Sequence, residues 1–191
     1  RDNQNGPAYK LLGTAYAMCN HEDEAIRELT RASELLPEDS EVHLNLGGVF
    51  MLQDMYESAA RCFRKVVEID PMDRLGYANL AAAYDMDKKY DEEIQVLKKI
   101  LMFAPEDIEL RSALSTAYFN SENYDEALNH ALCVIELDEK DPQAYCNLGS
   151  CYSAQNMTDE AVEAFKKATE IDPDYSLPHT NLGSLYATIG R

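Results

Sequence analysis

The chain has 191 residues, 46% of them apolar, and its 35 acidic side chains against 17 basic ones leave a net charge of -18. An apolar share of that size excludes a disordered chain, and the negative field repels phosphate backbones and anionic lipid, which argues against nucleic acid and membrane as partners. The acidic residues stand at helical spacings instead of in one run, so they read as solvated faces, with a preference for basic partners as the sharper expectation.

After a short tail at 1–5 the chain repeats itself. Pro37, Pro71 and Pro105 stand 34 residues apart, and two further steps of 34 reach Glu139 and Pro173 inside the aligned phrases "ELDE" and "EIDP". The repeats are 6–39, 40–73, 74–107, 108–141 and 142–175, with a partial sixth at 176–191 and no insertions.

Taken in order, a first helix opens each repeat, marked by a leucine, then a small residue, then an aromatic three places on. The sets are Leu12, Gly13 and Tyr16, then Leu46, Gly47 and Phe50, then Leu80, Ala81 and Tyr84. They continue as Leu114, Ser115 and Tyr118, then Leu148, Gly149 and Tyr152, then Leu182, Gly183 and Tyr186. The small residue lets two helices approach closely, and the ring fills the adjoining gap. A second helix follows, its apolar stripe beginning at Ala25, Ala59, Glu93, Ala127 and Ala161 and running through Leu29, Phe63, Leu97, Ala131 and Phe165. Polar turns such as "KKYD" and "NMTD" separate the two, and their Asn, Asp and Thr residues are expected to cap the second helix. The proline ends it and redirects the chain. No segment shows the period-2 alternation of a strand, so an all-α stack of antiparallel helix pairs is predicted, five full repeats plus one extra helix.

The phrases "AYxNLGxxY", "DEA" and "EIDP" at this period resemble the tetratricopeptide repeat family over residues 6–191. The resemblance implies a right-handed superhelical solenoid whose first helices line a concave side. It also implies a use as a scaffold or adaptor for protein partners. Four positions depart from the family pattern. Glu93 replaces a small residue, His43 and Arg111 stand where an aromatic is common, and Glu139 replaces a proline. These are expected to loosen the third and fourth repeats.

One place before the first-helix leucines the chain reads Leu11, Asn45, Asn79, Ala113, Asn147 and Asn181. An amide offers both a donor and an acceptor, which is what the backbone of an extended ligand requires. The row resembles the asparagine ladder in the repeats of the O-linked N-acetylglucosamine transferase. Beside it the expected groove carries Lys10, Leu44, Ala78, Ser112, Cys146 and Thr180 on one flank. Thr14, Gly48, Ala82, Thr116, Ser150 and Ser184 stand on the other. Met18, Met51, Leu52, Met86 and Phe119 form an apolar wall holding one carboxylate, Asp85, suited to an apolar peptide or an amphipathic helix. The peptide-binding residues expected from sequence are therefore Asn45, Asn79, Asn147, Asn181, Met51, Asp85, Met86 and Phe119, and the partner a protein or peptide that is basic or apolar. The lysine and arginine needed to clamp an acidic chaperone tail are missing apart from Lys10, so that use is disfavoured.

Catalysis, metal and cofactors are not expected. The four histidines pair with no cysteine or serine, and the sequence holds no Gly-rich phosphate loop, HExxH or GxSxG phrase. Five cysteines without a CxxC pair fit reduced, mostly buried thiols in a cytosol-like compartment. Two alternatives remain open from the sequence. The chain could be the substrate-recruiting part of a larger enzyme such as a glycosyltransferase, or it could self-associate through the last helix, where Leu182, Leu185, Tyr186 and Ile189 lack a second helix to cover them.

Overall fold

The computed structural model describes residues 5–188 and 190, so tail residues 1–4, Ile189 and Arg191 lie outside the described residues. Among the described residues eleven helices form and no strand. They are α1 Gly6–Met18, α2 Glu22–Leu35, α3 Ser40–Leu52, α4 Tyr56–Ile69, α5 Arg74–Met86 and α6 Tyr90–Leu101. Then come α7 Ile108–Asn120, α8 Tyr124–Leu137, α9 Pro142–Ala154, α10 Thr158–Ile171 and α11 Ser176–Thr188. Odd helices pack against the even helices that follow, as α1 on α2, α3 on α4, α7 on α8 and α9 on α10. The chain divides into two compact units, Arg1–Val96 and Leu97–Arg191, with the division inside α6. Each is considered by itself below.

The turn inside each helix pair is built differently from the sequence expectation. The residue before each of α2, α4, α8 and α10 is His21, Met55, Asn123 or Met157, and none of these makes a side-chain capping bond. The turn is closed instead from the preceding helix. The backbone N–H of His21, Met55, Lys89, Asn123 and Met157 donates to the carbonyl of Tyr16, Phe50, Tyr84, Tyr118 and Tyr152, at 2.8 to 3.0 Å. These are the six-to-one bonds of a Schellman motif, which requires a left-handed residue just beyond the helix. That residue is Asn20, Asp54, Lys88, Glu122 or Asn156, with φ between 54° and 62°. Asn and Asp tolerate this region, whereas Lys and Glu adopt it against a steric cost. Glu122→Gly is therefore expected to stabilise the second unit by up to about 1 kcal/mol, read as a higher urea midpoint.

Side-chain caps stand instead at the first helices. Asp39 accepts from the backbone N–H of Glu41 and Val42, Asp73 from Gly76, Asp107 from Leu110 and Asp141 from Ala144. Asn5 does the same for Ala8. These aspartates also recur every 34 residues in the sequence, between repeats and outside the turns within them. The next step reaches Tyr175, whose hydroxyl donates to Gln143 Oε1 at 2.5 Å.

His43 and Arg111 each bond the carbonyl of the proline six residues before them. Nε2 of His43 lies 2.9 Å from the Pro37 carbonyl, and Nε of Arg111 donates to that of Pro105 at 3.0 Å. His179 repeats the contact with Pro173. A hydrogen bond to the proline carbonyl replaces the ring packing found elsewhere.

At Gly13, Gly47 and Gly149 the small residue of the first helix meets the large one of its second helix. A β-carbon built on Gly47 would stand 2.5 Å from the Phe63 ring, and one on Gly149 would stand 2.7 Å from the Phe165 ring. Where the small residue is Ser115, the partner place holds Ala131, and the Ser115 hydroxyl donates to the Ala127 carbonyl at 2.8 Å. Around these contacts Leu46 and Val49 pack with Ala25 and Leu29 in the first unit, and Phe165 with Ala161, Ala168 and Cys146 in the second. The leucine stripe is not buried throughout. Leu12 is 44% exposed, because among the described residues no helix pair precedes α1 to cover it.

Candidate functional site

In the first unit Asn45 sits half-buried on α3, and its Nδ2 donates to Thr14 Oγ1 on α1 at 3.1 Å. The same relation recurs in the second unit, where Asn147 Nδ2 on α9 reaches Thr116 Oγ1 on α7 at 3.5 Å. Each amide therefore spends a donor on the hydroxyl 31 positions earlier, tying neighbouring first helices together. For Asn79 on α5 that earlier position is Gly48, which has no hydroxyl, and among the described residues the Asn79 side chain makes no hydrogen bond. Its donors and acceptor are all available. Met51 is half-buried, while Asp85 and Met86 are exposed, Met86 by 51%.

Two groove residues expected from sequence behave otherwise. Cys146 is 1% exposed, closed over by Tyr175, and Asn181 Nδ2 lies 3.9 Å from its sulfur, so it lines no groove. Lys10 pairs with Asp39 at 2.9 Å and also with Glu41, so it is already neutralised within the chain. The shortfall arises because helical counting puts a residue on a face without showing what the next repeat lays over that face.

The second unit gathers three of the expected residues. Phe119 of α7, Asn147 of α9 and Asn181 of α11 line one hollow of about 330 Å³ together with Thr116, Gln143, Ser150 and Leu177. An adjoining hollow of about 380 Å³ shares Phe119, Ser150 and Asn181 with it and extends past Ser153, Ser184 and Leu185. The Phe119 ring is steadied by Tyr124, with centroids 5.5 Å apart. Asn147 Oδ1 accepts from Gln143 Nε2 at 2.9 Å, which orients the amide. Gln143 and Leu177 were not singled out from sequence, whereas Thr116 and Ser150 belong to the flank expected there. Leu177 and Gln143 lie near the starts of α11 and α9, where counting from the packing leucine gave no reason to look. A wider hollow of about 600 Å³ at Leu35–Ser40 beside the α2–α3 turn holds none of the expected residues.

Three of the thiols and one histidine are held in inert states. Burial pushes the thiols of Cys146 and Cys151 up to about 11, and that of Cys62 to about 11 against the opposing charge of Arg61, so at neutral pH none is a thiolate nucleophile. His130 stacks on Tyr118 at 5.6 Å with Nδ1 unpartnered, and burial, followed by the charge of Arg111, lowers its pKa. Among the described residues no group of three or more His, Cys, Asp or Glu could hold a metal ion, and no helix is long and apolar enough to cross a membrane. On the last helix Leu182 and Leu185 are half-buried and pack against the Phe165 cluster. Ile189 lies outside the described residues.

Residues 20–71 and 142–175 match family models described as Tetratricopeptide repeat. Solved structures share the fold over nearly the whole chain. YrrB, described as a TPR protein with an unusual peptide-binding site, superposes at a TM-score of 0.76 with 21% identity, over 94% of this chain and 93% of that one. MamA protein gives 0.76 and 23%, over 90% and 93%. MamA (41-end) from Desulfovibrio magneticus RS-1 gives 0.73 and 20%, over 92% and 98%. No curated protein matches the chain significantly. Residues 20–71 and 142–175 are thus similar in sequence to tetratricopeptide repeats, and the stack of paired helices at a 34-residue period has the fold that YrrB and MamA share.

Proposed function

We propose that this chain is a protein-interaction scaffold that holds an extended peptide segment of a partner against its first helices. Asn147 and Asn181 meet the peptide backbone and Phe119 takes an apolar side chain; Asn45, Asn79, Met51, Asp85 and Met86 serve the same purpose on the first unit. The observation that carries this reading is the hollow on α7, α9 and α11, where amides, hydroxyls and an aromatic ring from three first helices converge. Concave sites of mixed apolar and neutral polar lining are where ligands bind. The peptide-binding site described for YrrB, on the same fold, supports the same use. In the first unit Asn79 is the amide best placed to meet a ligand, because nothing among the described residues uses it.

A hydrogen bond between neutral groups contributes about 0.5–1.5 kcal/mol net, so removing two is expected to weaken binding from about fivefold to about a hundredfold. Peptides selected on the wild-type chain from a random dodecapeptide display library serve as probes. The Asn147→Ala/Asn181→Ala double variant is expected to lose affinity for them while its thermal melt is retained. Asn181→Ala alone, whose amide makes among the described residues only the long contact to Cys146, keeps the test open should the double variant fold poorly. Unchanged affinity in a folded variant refutes the assignment.

A further inference from the structure

We infer that the hollow on α7, α9 and α11 selects an uncharged stretch of the partner, disfavouring acidic and basic side chains alike where it meets them. This deepens the peptide-binding reading and rests on it. The two adjoining hollows share Phe119, Ser150 and Asn181 and so form one continuous site. Among the described residues no Lys, Arg, Asp or Glu lines either of them, in a chain of which 27% is charged. A charged side chain entering such a site gives up hydration and finds no opposite charge to offset the loss. A neutral one gives up far less.

The polar groups present define what they can accept. The Thr116 hydroxyl donates to the Ser112 carbonyl at 3.1 Å, that of Ser150 to Cys146 at 2.9 Å and that of Thr188 to Ser184 at 2.9 Å. Each hydroxyl has one proton, and here it is spent inside the helix. What these oxygens offer a ligand is lone pairs, to which Asn181 adds its amide oxygen. Uncharged acceptors of this kind match backbone N–H groups and side-chain amides. Phe119, Leu177 and Leu185 supply the apolar share. The occupant is therefore an extended segment carrying one aliphatic or aromatic side chain toward Phe119 and small or amide-bearing residues on either side.

The first unit supplies an internal contrast. Thirty-four positions before Phe119 stands Asp85, an exposed carboxylate, so the same place in the repeat carries charge in one unit and a neutral ring in the other. Selection for a neutral segment is thus a property of these particular residues and not of the repeat as such.

The test is a positional-scanning decapeptide library, with each position fixed in turn as Leu, Phe, Gln, Lys or Glu, panned on the whole chain. Bound peptides are located by the NMR shifts of the Asn147 and Asn181 side-chain amides. Several consecutive positions are expected to favour Leu, Phe or Gln over Lys and Glu by about tenfold or more, with affinity changing less than about twofold between low and physiological salt. Ser150→Asp, which places a carboxylate in both hollows, is expected to import a preference for Lys at one of those positions. Peptides that move both amides but favour Lys or Glu there, or that lose affinity steeply with salt, overturn this inference and leave peptide binding standing. A library from which no peptide moves those amides overturns both.

Discussion

Replacing Glu93 by alanine is expected to stabilise the first unit, by an amount that grows with pH. At the equivalent place in the other full repeats stand Ala25, Ala59, Ala127 and Ala161, each wholly buried where two helices come closest. Glu93 is only 7% exposed there, and its Oε2 has no hydrogen-bond partner. Burial, with the Asp85 charge second, pushes its carboxyl up to about 7 from an ordinary 4.5.

The sign follows from linkage. Below pH 4.5 the carboxyl is protonated whether the chain is folded or not, and there is no penalty. As pH rises from about 4.5 to about 7 the unfolded chain ionises freely while the folded one resists, so stability falls across that window and levels off above it. A shift of that size corresponds to about 3 kcal/mol at full ionisation. Alanine removes the penalty but leaves some space behind, so a gain of about 1–2 kcal/mol is expected at pH 8 and little or none at pH 5. Glu93→Gln keeps the volume and should abolish the slope. Urea unfolding of wild type and both variants at the two pH values reads this directly. Parallel pH profiles for wild type and the glutamine variant would show that Glu93 is ionised in the folded chain without penalty.

Gly149→Val is expected to cost the second unit about 3 kcal/mol. The new β-carbon would stand 2.7 Å from two atoms of the Phe165 ring, which is itself 2% exposed and enclosed by Ala161, Ala168 and Cys146. Neither helix can retreat without opening that cluster. Helix propensity works the other way, since glycine is the poorer helix former by a few tenths of a kcal/mol or more, so steric crowding must outweigh it. A double-mutant cycle separates the two. Phe165→Ala alone is expected to cost about 3–5 kcal/mol, and in that background Gly149→Val should be nearly free because its methyl groups enter the vacated space. Equal costs in both backgrounds would sink the steric account. Gly48, next to Gly47 in sequence, is the natural control, because a β-carbon there meets nothing within 4 Å.

The fourth repeat shows the same constraint solved in reverse. Ser115 takes the glycine's place, Ala131 takes the large residue's, and the hydroxyl finds the Ala127 carbonyl. Small and large exchange across the pair so that the space stays filled. Both members were visible in the sequence as stripes, but their pairing was not.

Patterning along one chain was enough to reveal the helices, their pairing in twos and the turns between repeats. Leucine, small residue, aromatic and proline recur at a period that only local spacing needs to establish. Even the capping aspartates at 39, 73, 107 and 141 obey it. The left-handed residues escaped because backbone hydrogen bonding imposes that conformation, and Lys88 or Glu122 carries no chemical mark of it. The identity of the asparagines was likewise legible, whereas their use was not. Asn45 and Asn147 find hydroxyls 31 residues back, and Asn79 finds Gly48, only once neighbouring first helices lie side by side. Cys146 shares their face by counting and is nevertheless covered by Tyr175 and Asn181. Periodicity is a property of the chain and assigns faces; exposure, partners and the meeting of Phe119 with Asn147 and Asn181 depend on contacts between residues distant in sequence, which folding alone brings together.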